Sequence, residues 1–207
     1  MTAVDADPTA VAVAGKRERT KQANRTAILD AARLVFADIG YGAASVRDIV
    51  RGTDLATGTF YNYFPDKESV LTALLDETAG EARLRVRAAR RGGTTLDAFV
   101  RDGFRAYFDF LIEDRATSEL LSRNAGTIRA LFDEPSLVAG VEELAEDLRA
   151  GVEAGLIPDH DVEYMAASMV GAAFEVGTRM LASAQPDPAR ATEFISGLFI
   201  AGLSARA

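Results

Sequence analysis

An all-α fold follows from three features of the 207-residue chain. Apolar residues recur at spacings of three and four, and no stretch alternates with the period of a strand. The breaks between periodic stretches carry Gly, Pro, or a Ser or Asp suited to begin a helix. Charge is segregated as well. The net charge is −8, yet residues 1–67 hold nine Lys/Arg against eight Asp/Glu, and residues 68–207 hold fourteen against twenty-three. Lys16, Arg17, Arg19, Lys21 and Arg25 are opposed locally only by Glu18. A basic start on an acidic chain is the footprint of a locally anionic partner.

Taken in order, residues 1–15 are small, acidic and without periodicity, and read as a disordered tail. A basic arm at 16–25 leads into a first helix from about Thr20 to Ile39. Ile28, Leu29, Ala32, Val35, Phe36 and Ile39 form its apolar arc, and Gly40 stops it in a left-handed position. Ser45 is an N-cap, with Asp48 three residues on in a capping box. Gly52-Thr53-Asp54 breaks the second helix, and a third begins near Ala56 or Thr57. Phe60 and Phe64 share its inward side, and Pro65 ends it. Asp66 caps a fourth helix running to about Arg91, followed by Gly92-Gly93. A fifth, Thr95 to Ile112, is lined by Phe99, Phe104, Tyr107, Phe108 and Leu111. Shorter helices are expected at 118–123 and 127–132, then longer ones at 136–154, 161–183 and 187–204.

The chemistry lies first in Ser45–Lys67. A short reading helix in a major groove needs small or hydrogen-bonding residues at its start, so that backbone and base edges can approach. Thr57, Gly58 and Thr59 meet that need. Tyr61 and Tyr63 offer hydroxyls to phosphate, Asn62 can pair with adenine, and Arg47 can reach phosphate or guanine. The helix starts at Ser45 and beside Lys67 present N–H groups to phosphate. Lys21 and Arg25 of the arm would add affinity for any sequence. An aromatic packing helix in a bundle is the competing reading of the same residues.

The motif A-A-x-x-x-F-x-x-x-G-Y (Ala31 to Tyr41), then S-V-R-D-I and T-G-T-F-Y-N-Y-F-P-D-K-E, resembles the tetracycline-repressor (TetR) family of one-component regulators. The resemblance covers residues 20–70. It implies a three-helix helix-turn-helix DNA-binding domain (16–66) and a larger helical ligand-binding and dimerisation domain (67–207). It further implies a homodimer on a palindromic operator in double-stranded DNA, and release by a small, largely apolar effector. An activator, a protein-triggered regulator, and a carrier or enzyme with a vestigial DNA-binding domain are the alternatives. By carry-over, Arg47, Thr57, Gly58, Thr59, Tyr61, Asn62, Tyr63 and Lys67 are the DNA contacts. Asp54 stands where the family usually has Gly, and Ala56 where Ser or Thr is common. Asp54 is therefore expected as a left-handed residue and Thr57 as the cap, in a slightly altered turn.

For the effector, Phe104, Tyr107, Phe108, Met169 and Phe174 supply apolar lining, with Arg105, Glu175 and Arg179 as polar groups. Glu175 and Arg179 equally fit an i,i+4 surface pair, and a solvated position is the competing reading of Arg105. Small residues crowd the last two helices (Ala166, Ala167, Gly171, Ala172, Ala173 and Gly177, then Gly197, Ala201 and Gly202), where the resemblance places the dimer interface. No cysteine and one histidine, His160, leave no expected metal site, catalytic residue or cofactor. Arg179 and Glu175 interrupt the longest apolar run, and acids precede the first apolar stretch, so no membrane span and a cytoplasmic protein are expected.

Overall fold

The computed structural model describes residues 8–131 and 135–204, with side chains over 16–131 and 138–204. Among these residues there are ten helices and no strand. They are α1 (Pro8–Asp38), α2 (Val46–Arg51), α3 (Thr57–Tyr61), α4 (Lys67–Gly92), α5 (Leu96–Glu113), α6 (Arg115–Arg123), α7 (Ala125–Ala130), α8 (Pro135–Glu153), α9 (Val162–Leu181) and α10 (Pro188–Ser204). The boundaries are chemical. Ser45, Asp66, Thr95, Asp114 and Asp161 each accept a hydrogen bond from the backbone N–H three residues on, which satisfies a donor the helix itself leaves orphaned.

Residues 1–7 of the expected tail lie outside the described residues, but residues 8–15 are helical and continuous with α1. Their Ala-rich stretch has high helix propensity, and the missing amphipathic stripe had made it read as disordered. After α1, Gly40 takes φ 79°, as expected, and hands the chain to the loop before α2.

Two apolar cores form. The first joins Ile28, Leu29, Ala32 and Phe36 of α1 to Ile49, Phe60 and Phe64. It does not end at residue 66. Val70, Leu71 and Leu74 from the first half of α4, with Leu120 of α6 and Ile128 of α7, are buried in it. The expected boundary at 66/67 therefore falls at the cap of a helix that both cores share. The second core joins Phe99, Phe104 and Phe108 of α5 to Leu144 and Leu148 of α8, Met169 of α9 and Ile195 of α10. Ile39, expected in the α1 arc, lies past the helix end and is exposed.

Because Gly40 holds a left-handed φ, Gly40→Ala should lower stability by about 1–2 kcal/mol, the strain of an L side chain there. Urea denaturation should show a lower midpoint with an unchanged slope; an unchanged midpoint would mean the turn relaxes without strain.

Candidate DNA interface and effector cavity

The helix-turn-helix is built on local hydrogen bonds. Ser45 and Asp48 form the full capping box: the Ser45 hydroxyl accepts from Asp48 N–H, and Asp48 accepts from Ser45 N–H at 3.0 Å. The Ser45 hydroxyl, which also donates to Asp48 Oδ2, and then the Ser45 N–H hold the Asp48 carboxyl below the ordinary carboxylate range. The turn differs from expectation. Among the described residues no non-glycine has positive φ, so Asp54 is not left-handed. Thr53 closes the turn instead: its hydroxyl donates to Val50 O (2.9 Å) and accepts from Leu55 N–H (3.2 Å). Gly52 lets α1 approach, since a Cβ there would stand 3.0 Å from Ala31 Cβ. Ala56 is the N-cap of α3 with no side-chain bond, so Thr57 does not cap either.

On α3 and the turn that follows it, Phe60 and Phe64 are buried, while Thr57, Gly58, Tyr61 and Asn62 are exposed. A Cβ on Gly58 would meet nothing within 4 Å, so backbone can approach a partner there. Lys21 and Arg47 are also exposed. These six share the open character a groove reader needs. The other five expected contacts are engaged within the chain or partly covered. The Ser45 hydroxyl belongs to the capping box. Arg25 pairs with Glu77 at 2.7 Å and lies 5.7 Å over the Phe64 ring. The Tyr63 hydroxyl accepts from Asn24 Nδ2 at 3.1 Å, and Thr59 is half-buried. Lys67 Nζ donates to Tyr41 O (2.7 Å) and Ala44 O (2.8 Å) and sits 4.4 Å over the Tyr41 ring. Its ammonium pins the start of α4 to the α1–α2 loop, which leaves one N–H for an anion.

Asn124, between α6 and α7 and almost fully buried, ties the end of α1 and the α1–α2 loop to α6. Its Oδ1 accepts from Tyr41 N–H at 2.7 Å, and its Nδ2 donates to Phe36 O (3.0 Å) and Leu120 O (2.8 Å). Nothing in sequence periodicity marks this residue, because both distant partners are backbone groups.

A cavity of about 190 Å³ lies among α4, α5, α8 and α9, closed toward the DNA-binding domain by Leu75, Leu121 and Ile128. Of the expected lining, Phe104, Tyr107, Met169 and Phe174 are present. Phe108 is fully buried behind the wall, against Gly177. The expected polar groups are not in the wall. Arg105 pairs with Asp109 at the surface (2.6 Å), and Glu175 grips Arg129 with two bonds of 2.8 Å rather than Arg179, which is exposed. Arg83, Arg90 and Glu143 line the cavity instead. Arg90 is buried on Asp147 (2.8 Å), and Arg83 lies 3.6 Å from Glu143. The signal for Arg90 was available: Leu75, Ala79, Ala82, Val86 and Arg90 follow one another at three or four residues, a single face of α4. Burial pushes the Tyr107 phenol well above its usual pKa, so it remains a donor.

The open α3 face, joined through α4 to a helical body with an apolar cavity, has the form of a helix-turn-helix fold. Residues 28–74 match the family described as bacterial regulatory proteins, tetR family. The transcriptional repressor KstR2 of Rhodococcus jostii is 34% identical over 90 residues, 42% of this chain and 44% of that protein. The regulator UidR of Escherichia coli is 33% identical over 79 residues, 38% of this chain and 40% of UidR. The chain thus spans less than half the length of these curated relatives. Among solved structures, the fatty acid degradation regulator FadR from Bacillus halodurans superposes with TM-score 0.73 at 26% identity, covering 86% of this chain and 95% of FadR. FadR from Bacillus subtilis, solved in complex with stearoyl-CoA, superposes with TM-score 0.74 at 24% identity, over 86% of this chain and 98% of that one, and shares the fold. No helix among the described residues is long and apolar enough to cross a membrane.

Asn124→Ala strands Tyr41 N–H and Phe36 O in a buried joint. It should lower stability by about 2–4 kcal/mol, the scale for leaving buried partners unsatisfied, read from chemical denaturation. A loss below roughly 0.5 kcal/mol, half a typical net hydrogen bond, would show that water replaces the amide without strain.

Proposed function

We propose that the protein is a homodimeric, ligand-responsive transcriptional repressor acting in the cytoplasm, which binds a palindromic operator and releases it when a small, largely apolar effector fills the cavity. The observation that carries this reading is shared wall. Leu75 and Ile128 line the cavity and are also buried in the core that positions α3. A ligand pressing on them acts on the DNA-binding domain through α4 and α7, one turn from Asn124. It shifts the equilibrium only as far as it binds the releasing geometry more tightly. The repressor name of KstR2 and the regulator name of the Bacillus halodurans FadR support the same reading.

The dimer face is best sought on α9 and α10. Tyr164, Phe194 and Leu198 are exposed there, and Gly171, Gly197 and Gly202 have open space beside their Cα atoms. Not all the small residues serve that face: Ala166, Ala173 and Gly177 are buried within the chain, and a Cβ on Gly177 would stand 2.6 Å from Leu111 Cδ1. A two-fold pairing would set the α3 helices in successive major grooves, roughly 34–36 Å apart.

Footprinting across the DNA flanking the gene should reveal a protected inverted repeat. Finding none would sink the reading. At that site Asn62→Ala should relax sequence preference at one base pair by about 1–3 kcal/mol. Lys21→Ala should weaken all sequences alike and reduce the salt slope by about 1.

Phe194→Glu should convert the dimer to monomer in sedimentation at micromolar concentration and abolish operator binding, because it buries a charge in the pairing face. A variant that stays dimeric would move the interface off α10.

A further inference from the structure

The polar groups of the cavity wall can be accounted for one at a time. Arg90 is held by Asp147 and Arg83 by Glu143. The Thr78 hydroxyl donates to Leu74 O at 2.8 Å. Two wall hydroxyls remain, those of Tyr107 on α5 and Thr178 on α9, and neither has a hydrogen-bond partner among the described residues. They stand on helices that pack against each other. Gly177 admits the Tyr107 ring against α9, where a Cβ would stand 3.4 Å from Tyr107 Cε1, the carbon next to the one that bears the hydroxyl. Thr178 is the next residue along α9. Everything else around the cavity is apolar apart from the paired charges.

A hydroxyl that opens onto an apolar cavity is best satisfied by an acceptor carried in with the ligand. We infer that the effector is a compact, uncharged molecule with one hydrogen-bond-accepting carbonyl oxygen, taken by the Tyr107 hydroxyl with Thr178 beside it, while its apolar body fills the remaining space. This inference rests on the effector-responsive reading of the same cavity. A phenol kept protonated by burial donates and does not repel, and a neutral oxygen needs no counter-charge. A carboxylate would find cations only in Arg90 and Arg83, whose charge Asp147 and Glu143 already offset, and would be drawn in less strongly than by a bare arginine. Size points the same way. A dry cavity of about 150 Å³ takes a benzene ring, so about 190 Å³ suits a substituted single ring or an acyl chain of similar bulk. A long acyl thioester would have to extend well outside that space.

The test uses four probes on the full-length protein: 4-phenyl-2-butanone, butylbenzene, 3-phenylpropionate and stearoyl-CoA. Calorimetric titration should give the ketone roughly 3–10-fold tighter binding than butylbenzene, the range of one net hydrogen bond, with the other two weaker than the ketone. Tyr107→Phe should erase the ketone's advantage and leave butylbenzene binding unchanged, which separates a lost hydrogen bond from a damaged fold. Thr178→Val should reduce the advantage in part. The proposal is overturned by a ketone advantage that survives Tyr107→Phe, by tighter binding of phenylpropionate or stearoyl-CoA, or by no binding of ketone and hydrocarbon alike. Operator release is measured separately. A ketone that binds through Tyr107 without releasing DNA leaves this recognition standing and removes the repressor reading.

Discussion

Asn124 makes three hydrogen bonds with one buried amide, and through them the N-terminal helices are fixed to the rest of the chain. The end of α1 supplies Phe36 O, the α1–α2 loop supplies Tyr41 N–H, and α6 supplies Leu120 O. An apolar contact at this place would tolerate sliding; an amide between a carbonyl and an N–H accepts one register. Lys67 repeats the device on the other side of the loop, tying Tyr41 O and Ala44 O to the start of α4. The loop that leads into α2 is thereby clamped from α4 and from α6–α7. Buried polar joints of this kind favour discrete arrangements over gradual deformation. That is the property a two-state regulator requires.

α4 carries the consequence through the molecule. Its first half contributes Val70, Leu71 and Leu74 to the core beneath α3, and its second half presents Ala82, Val86 and Arg90 to the cavity. Beyond the cavity the same helix is held to α8 by arginines converging on acids: Arg87, Arg90 and Arg91 all lie within 4.0 Å of Asp147. One rigid element thus touches the base of the reading helix, the wall of the effector site and an ionic anchor. Displacing its middle moves both ends.

Local chemistry was readable from the residues, and distant partnership was not. Gly40, the Ser45–Asp48 box, Asp66 and the inward pair Phe60 and Phe64 declare themselves within one or two turns, because caps and periodicity are short-range. Arg25, Tyr63 and Lys67 were equally visible as basic or hydroxyl groups, but their partners lie 52, 39 and 26 residues away. Composition cannot tell a side chain that waits for phosphate from one already bound. The cavity repeats the lesson. Its aromatic half, Phe104 and Tyr107, was legible as an apolar lining. Arg105, Glu175 and Arg179 looked like its polar half, yet the first two find ion pairs on the surface, and Arg90 enters because Asp147 on another helix neutralises it.

The acidic balance of the chain bears on how the DNA-binding face works. α3 itself carries no Lys or Arg, and the exposed Lys21 and Arg47 come from α1 and α2. Affinity from charge and discrimination by α3 are therefore assigned to different elements. A protein of net charge −8 is repelled by DNA at long range unless its basic end leads. The segregation orients the approach, and with a Debye length of about 8 Å at physiological salt only the nearest charges count on arrival. An effector then need not oppose every charged contact. On the proposed reading, altering the tilt of α3 in each protomer of a dimer would remove the hydroxyl and amide contacts that distinguish one site from another, and the remaining attraction, common to all DNA, would be too weak to hold an operator against the rest of the chromosome.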